Sequence, residues 1–411
     1  MANVKPFRAM RPNTDIVSRV AALPYDVYNR AEAKTEVQKE PLSFLRIDRP
    51  ETNFGPDFDM YSDEAYKTAH DLLWEAFEDG TYVEEKKDVY YIYELIMDGR
   101  HQTGIVAVAS VDDYVNEVIK KHENTRAEKE KDRIRHIDTC DAQTGPIFLA
   151  YRDDASINEI VNRVKLGEKL YGFTAEDGIT HNVWVISNEA DVAAVKKAFG
   201  GISSIYIADG HHRAASAVKV GLKRRAENPN FTGQEEFNFF LSVLFPESEL
   251  AILPYNRVVK DLNGLTEEAF LSQIAQACDL EEVNVAYQPD EKGVFGMYLS
   301  GKWYKLSIHE DLKTNDPVEG LDVSLLQNYI LQPVLGIDDP RTDARIDFVG
   351  GIRGLGELER RCATDSVVAF SMYPTSIDEL FSVADAGRLM PPKSTWFEPK
   401  LRSGIFIHKL S

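Results

Sequence analysis

SSIYIADGHHRAASAVKVG occupies residues 203–221. Its first part is apolar and rich in β-branched and aromatic residues, which predicts a buried strand ending at Asp209. Gly210 then makes a turn, and His211, His212 and Arg213 open a helix. Ala214, Ala215, Ser216 and Ala217 are small enough for that helix to pack closely on a sheet. The arrangement suits an anion. A helix N-terminus offers unpaired N–H groups and the positive end of the helix dipole. Glycine lets a ligand approach the backbone. Two imidazoles add groups that share protons near neutral pH, and the Arg213 guanidinium adds a two-pronged hold on phosphate. Asp209 is placed to cap the helix, act as a base or hold a metal. The plain alternative is a capped helix whose histidines lie on the surface. Zinc is disfavoured, because neighbouring helical residues point about 100° apart and no third soft ligand is evident.

Outward from this stretch, short strands and helices alternate. VYYIYELI (89–96) and GIVAVASV (104–111) read as strands joined by a turn at Asp98-Gly99. Asp112 to Asp138 reads as helix, first amphipathic and then highly charged. PIFLAY (146–151), NVWVIS (182–187), NFFLSVLF (238–245) and LAILPYNRVV (250–259) read as further strands. Helices are expected near 265–278 and 322–331, with two strands around 293–308 between them. VVAFSMYP (367–374) precedes the helix SIDELFSVADAG, and IFIHKL (405–410) is a terminal strand. Strands and helices mixed without regular βαβ repetition indicate an α+β fold, mixed sheets with packed helices.

The chain has 411 residues, 47 Lys+Arg and 67 Asp+Glu, for a formal net charge of −20. That disfavours generic binding to nucleic acid or to an anionic membrane, since phosphate neutralisation by Lys and Arg supplies most of such affinity. Cys140, Cys278 and Cys362 are far apart, with no CxxC pair, so neither a disulfide framework nor a thiolate zinc site is indicated. No apolar run of signal-peptide or membrane-span length is seen, and a cytoplasmic location is expected. GGIRGLG (350–356) lacks the spacing of a dinucleotide fingerprint, and no Walker A or protein-kinase catalytic loop is present.

The strand–DGHHR–helix unit resembles the phosphate-binding motif of the ParB/sulfiredoxin superfamily, and most of all its free serine kinase branch. The whole chain is similar to the bacterial and archaeal family known as domain of unknown function 1015. The segments that carry this likeness include VKPFRAMRP (4–12), LPYDVYN (23–29), FLRIDRPE (44–51), KHENTRAEKEKDRIRH (121–136), LPYNRVV (253–259) and MPPKSTWFEPKLRSGIFIH (390–408). The resemblance implies a ParB/sulfiredoxin-like core and handling of a phosphorylated ligand. No cysteine stands near residue 209, against sulfiredoxin chemistry, and no basic DNA-binding segment is evident, against a partition protein. The serine kinase branch carries an acidic residue near its N-terminus as proposed base; the nearest here is Asp26.

These readings give a set of candidates. Asp209, His211, His212, Glu123 and Asp26 are the catalytic candidates. Gly210, His211, His212, Arg213, Arg126, Arg133, Lys393, Ser394, Thr395 and Arg402 are the phosphate-binding ones, and Tyr25, His122 and Arg257 face substrate. Lys400 stands in the same C-terminal stretch. HENTRAEKEKDRIRH (122–136) also reads as a solvated helix held by pairs such as Arg126–Glu130 and Glu128–Lys131. Arg257 reads equally as a sheet-face charge, and Asp26 equally as a turn residue.

Three regions are expected: an N-terminal α/β region (1–110), a central ParB/sulfiredoxin-like catalytic region (111–260), and a C-terminal α/β region (261–411) contributing to the site. The expected activity, named by the resemblance, interconverts free L-serine and O-phosphoserine. Pyrophosphate, ADP or ATP is the donor, and Mg²⁺ bridges donor oxygens. A nucleotide-binding switch without turnover, a phosphatase and a non-catalytic scaffold are the alternatives. The partner is a small molecule, with neither nucleic acid nor membrane, and a homodimer is an open option.

Overall fold

In a computed structural model, residues 1–411 are described apart from Arg126 and the side chain of Lys129. The motif strand, Ile205–Asp209, lies near one edge of a mixed sheet that has nine strands among the described residues. It runs parallel to the edge strand Ile119–Lys120 and antiparallel to Ile147–Tyr151. The sheet continues through Phe239–Pro246, Arg100–Ser110, Tyr90–Met97, Thr180–Ile186 and Tyr171–Thr174. Phe239–Pro246 is buried at every position, as expected of a strand covered on both faces.

The hairpin at Asp98-Gly99 forms as expected. Met97 pairs with Arg100, and Asp98 (φ 51°) and Gly99 (φ 78°) take the two positive φ values of a tight turn. The expected helix over 112–138 is instead broken in two. Val111–Val115 stops at Asn116, Glu117 takes φ 58°, and Ile119–Lys120 joins the sheet before Ala127–Cys140 begins. The β-branched residues Val118 and Ile119 satisfy their backbone on the motif strand rather than in a helix. LAILPYNRVV is also interrupted. Pro254, which has no N–H to donate, separates Ile252–Leu253 from Tyr255–Val259.

The chain divides into two compact units, Met1–Leu250 with Pro399–Ser411, and Ala251–Glu398. This corrects the division into three regions. A boundary at 110 would cut the sheet, because Arg100–Ser110 pairs along its length with Phe239–Pro246. The C-terminal segment returns to the first unit, where His408–Lys409 pairs with Ala142–Gln143. The core of the first unit packs the helices onto the sheet through Ile92, Ile105, Leu149, Ile207, Ala214 and Val218. A second cluster, with Phe44, Leu45, Leu73, Tyr82 and Ile407, holds the N-terminal segment. The second unit has a six-stranded antiparallel sheet of its own, with Val258, Trp303, Val349, Leu358 and Ala369 in its core. The architecture is thus mixed α+β. Among the described residues no helix is long and apolar enough to cross a membrane, and the three cysteines are free.

Candidate functional site

Ile205–Ala208 are buried, which fixes the motif strand in the sheet. Its pairing with Ile147–Tyr151 slips between Ile207 and Asp209, a bulge that re-aims the strand end. Gly210 follows with φ 91° and ψ 32° as N-cap of the helix His211–Glu227. No side chain caps this N-terminus. The positive φ at Gly210 calls for glycine, while an added Cβ would stand 3.1 Å from the Arg213 guanidinium, the tip of a flexible side chain. Ala214, Ala215, Ser216 and Ala217 are buried, and the Ser216 hydroxyl donates to the Glu130 carbonyl at 3.3 Å.

Asp209 is the pivot of the turn. Its Oδ2 lies 3.5 Å from Arg213 Nη2 and 3.5 Å from Lys400 Nζ. Burial alone would raise its pKa, but Lys400, Arg213 and the neighbouring groups hold it down at about 2. Its side chain still keeps 36 % of its surface accessible. Asp209 is therefore an ionised anchor for two cations. A carboxylate this acidic is a weak proton acceptor.

Two imidazoles lie behind the turn. The rings of His122 and His211 meet edge to face, with centroids 4.5 Å apart. Burial pushes His122 down to about 4, against the pull of Asp209 and of its hydrogen bond to the Ile207 carbonyl. His211 is held well below its ordinary range, by burial first and His122 second. Both are neutral at physiological pH. The His122 backbone N–H points at His211 Nε2 at 3.5 Å, and His211 Nδ1 stands 3.7 Å from Glu123 Oε2. His122 Nδ1 is buried without a hydrogen-bond partner.

The N-terminal segment supplies the other wall. Arg49 and Glu51 form a buried ion pair at 2.6 Å. Arg49 Nη1 also donates to the carbonyls of Tyr25 and Tyr28, at 3.0 and 2.9 Å, and so fixes the LPYDVYN loop. Arg133 stands over the Tyr25 ring at 4.0 Å and pairs with Asp132 at 2.8 Å. Burial pushes the Tyr25 hydroxyl up to about 12. A cavity of about 720 Å³ opens here, lined by Tyr25, Asp26, Asp48, Arg49, Tyr66 and Arg133 among others. Tyr25, Asp48 and Arg133 also line a smaller pocket of about 30 Å³ that reaches Arg213. Arg213 is thus the motif residue nearest to the cavity wall that these three side chains form.

The profile of the family described as "Protein of unknown function (DUF1015)" matches residues 4–324. The chain belongs to this family. No curated protein matches it. Among solved structures it is similar to a free serine kinase variant in complex with AMP, at 12 % identity and a TM-score of 0.38, covering 78 % of this chain and 93 % of that one. It is also similar to SbnI with C-terminal truncation from Staphylococcus aureus, at 12 % identity and a TM-score of 0.39, covering 74 % and 87 %. A third similar structure is a conserved hypothetical protein from Pyrococcus furiosus, at 14 % identity and a TM-score of 0.35, covering 74 % and 95 %.

Within this family member, Asp209, Gly210, His211, His212 and Arg213 share one turn, with Glu123 and His122 beside it. Tyr25, Asp26 and Arg133 line the adjoining cavity. Arg126 lies outside the described residues. The solvated-helix reading of 122–136 holds for one face only, where Ala127, Glu128, Lys131 and Arg135 are exposed. Glu130 is buried, bound by Lys219 and by the Thr125 hydroxyl, and Glu128 and Lys131 line the cavity. Arg402 is buried and engaged elsewhere, with Asp177 and with His181 Nε2 at 3.3 Å. Lys393, Ser394, Thr395 and Arg257 belong to the second unit. There Arg257 Nη2 donates to the Lys393 carbonyl at 3.0 Å, and Ser394 Oγ donates to the Pro391 carbonyl at 2.6 Å. Sequence reasoning missed Asp48 and the Arg49–Glu51 pair. The signal was present: charged DRPE in an otherwise apolar segment, where buried charge implies a partner.

Proposed function

We propose that the first unit is a phosphotransferase acting on the hydroxyl of a small metabolite. The resemblance of the DGHHR turn to the free serine kinase branch names that metabolite as L-serine, and a ParB/sulfiredoxin-like core is part of the same reading. One observation carries it: Arg213 and Lys400 converge on the Asp209 carboxylate at an uncapped helix N-terminus, and Arg213 also lines a small pocket that shares Tyr25, Asp48 and Arg133 with the larger cavity. Two cations and the helix N–H groups suit the negative oxygens of a transferring phosphoryl group. Such catalysis is mostly positioning and charge neutralisation.

In this reading the serine hydroxyl oxygen forms a bond to the donor's terminal phosphorus, and the donor's bridging P–O bond breaks. Pyrophosphate leaves as orthophosphate, ADP as AMP, and ATP as ADP; the reverse reaction returns serine from O-phosphoserine. The hydroxyl proton goes to Glu123, whose Oε2 stands 3.7 Å from His211 Nδ1, or to Asp26 on the cavity wall. Asp209 is set aside as the base because its two cations keep it too acidic. Among the described residues no group of three His, Cys, Asp or Glu is arranged to hold a metal ion. Mg²⁺ therefore enters this proposal only with the donor, neutralising its phosphate oxygens. The partner in this reading is a small cytoplasmic metabolite.

Phosphorus NMR on the purified protein with Mg²⁺ tests the reading. L-serine is supplied with pyrophosphate, ADP or ATP, and O-phosphoserine with orthophosphate. A phosphomonoester resonance is expected with at least one donor, and Lys400→Met should slow its appearance about 100-fold. Whichever of Glu123→Gln and Asp26→Asn costs about 100-fold or more identifies the base. Orthophosphate release without O-phosphoserine would make the protein a phosphatase. Bound nucleotide without turnover would make it a switch.

A further inference from the structure

The second unit contains a pocket whose chemistry the phosphotransferase reading leaves unused. Arg257, on the strand Tyr255–Val259, is 3 % exposed. Its Nη1 donates to the Tyr255 carbonyl, its Nη2 donates to the Lys393 carbonyl at 3.0 Å, and the guanidinium stands over the Phe348 ring at 5.5 Å. Among the described residues no carboxylate pairs with it, and burial pushes it down to about 10. A buried charge without a counter-charge is costly. In the lining of the same pocket, Gln327 Nε2 donates to the Ile337 carbonyl at 2.7 Å, which leaves Gln327 Oε1 buried and without a partner. Gln327 also opens a π-helical turn, Gln327–Leu331, closed by the Gln332 N–H donating to the Gln327 carbonyl at 3.0 Å. Turns of this kind recur at functional sites.

Arg257 and Gln327 both line a space of about 350 Å³, the size of a small-metabolite site. Its walls include Val323, Leu331 and Phe348, and Asp338 stands exposed at the rim. The other arginine there, Arg341, is taken up by Asp339 at 2.8 Å. One unbalanced buried cation matches one negative charge. A bare acceptor in the same lining calls for an N–H or O–H, and would repel the outer oxygens of a phosphate.

We propose that the pocket between Arg257 and Gln327 binds a small α-amino or α-hydroxy monocarboxylic acid with an apolar side chain. The carboxylate pairs with Arg257, the neighbouring donor serves Gln327 Oε1, and the side chain lies on the apolar wall. The site does not rest on the phosphotransferase reading, and it gives the second unit a ligand-sensing or substrate-holding role.

Saturation-transfer NMR on the full-length chain tests it, with L-leucine, 2-hydroxy-4-methylpentanoate, 4-methylpentanoate and 3-methylbutylamine as probes. The first two are expected to bind. The third, lacking the donor, should bind about tenfold more weakly, and the amine not at all. Gln327→Glu replaces the acceptor amide by a negative charge in the pocket wall, and is expected to abolish binding of both acids. Arg257→Gln should also abolish it. Asp209→Asn, in the first unit, should leave it unchanged, which separates this site from the serine site. No transfer to either acid that carries a donor at millimolar concentration would overturn the proposal. So would binding that survives in Gln327→Glu, or in a folded Arg257→Gln, since Arg257 would then be only a strut for the loop at Lys393.

Discussion

His122 shows how a single side chain couples the turn to pH. It is 2 % exposed, touches the His211 ring, and keeps one ring nitrogen without a partner. Its pKa falls from 6.5 to about 4, chiefly through burial. The unfolded chain therefore binds a proton that the folded chain refuses throughout that window. Stability contributed by the neutral ring is present above about pH 6.5 and is lost as the pH falls towards 4, a swing of about 3 kcal/mol. His122→Gln keeps a donor for the Ile207 carbonyl but does not titrate. The wild-type advantage over this variant, measured by urea unfolding, should shrink by about 3 kcal/mol between pH 6.5 and 4. A pH-independent difference would mean that His122 is not held neutral. The arrangement of the turn was legible at this scale, because Asp209 to Arg213 are adjacent and their placement follows from a strand running into a helix. The identity of the distant partner was not. Lys400 and Arg402 are two residues apart in one cationic stretch, yet one meets Asp209 and the other Asp177. That depends on how a long-range segment docks, which local pattern does not encode.

Among the elements, the motif helix His211–Glu227 is held to its neighbours by the absence of a side chain. A Cβ on Gly221 would lie 2.5 Å from the Phe237 carbonyl oxygen and 3.1 Å from Val111 Cγ2. Helix propensity alone favours Ala over Gly by about 1 kcal/mol. Overpacking against a backbone carbonyl costs about 1–3 kcal/mol. The clash is with backbone in the short turn Glu236–Asn238 rather than with a flexible side-chain tip, so the second effect should win. Gly221→Ala is expected to lower the urea midpoint by the equivalent of about 1–2 kcal/mol with an unchanged slope, and a raised midpoint would show that the turn yields freely. Elements read well from sequence where local chemistry dictates them, as at Asp98-Gly99, where two positive φ values are needed. They read poorly where tertiary pairing overrides pattern. Residues 112–138 carry a helical pattern, but Ile119–Lys120 gain more by extending the motif strand than by joining two helices. The Ala127–Cys140 helix looks solvated by composition, yet Glu130, Arg133 and His136 are buried because other elements cover that face.

For the whole molecule, the first unit is discontinuous in sequence, and Pro399–Ser411 completes it. Leu401, Ile405, Phe406, Ile407 and Leu410 are all buried there. Tyr82 donates to the Gly404 carbonyl at 2.7 Å, and Ile407 bridges Met10. At about 1.5–3 kcal/mol per buried apolar side chain, this segment contributes on the order of 10 kcal/mol, comparable with the whole stability of an ordinary domain. It also brings Lys400 to Asp209, so the same segment that closes the core completes the cation pair. A chain ending at Glu398 should therefore lose the fold of the first unit together with the proposed anion site. By hydrogen exchange, amides of Ile205–Asp209 and His211–Glu227 should exchange rapidly in the truncated chain. Those of Val294–Leu299 and Val368–Ser371, in a unit with its own sheet and core, should stay protected. Lys400→Met in the full-length chain serves as the control, since it removes the charge and leaves the buried segment in place. It should keep protection across both units and lose only the proposed anion site. Slow exchange of the motif strand in the truncated chain would show that the first unit closes without its C-terminal segment, and that Lys400 alone links that segment to function.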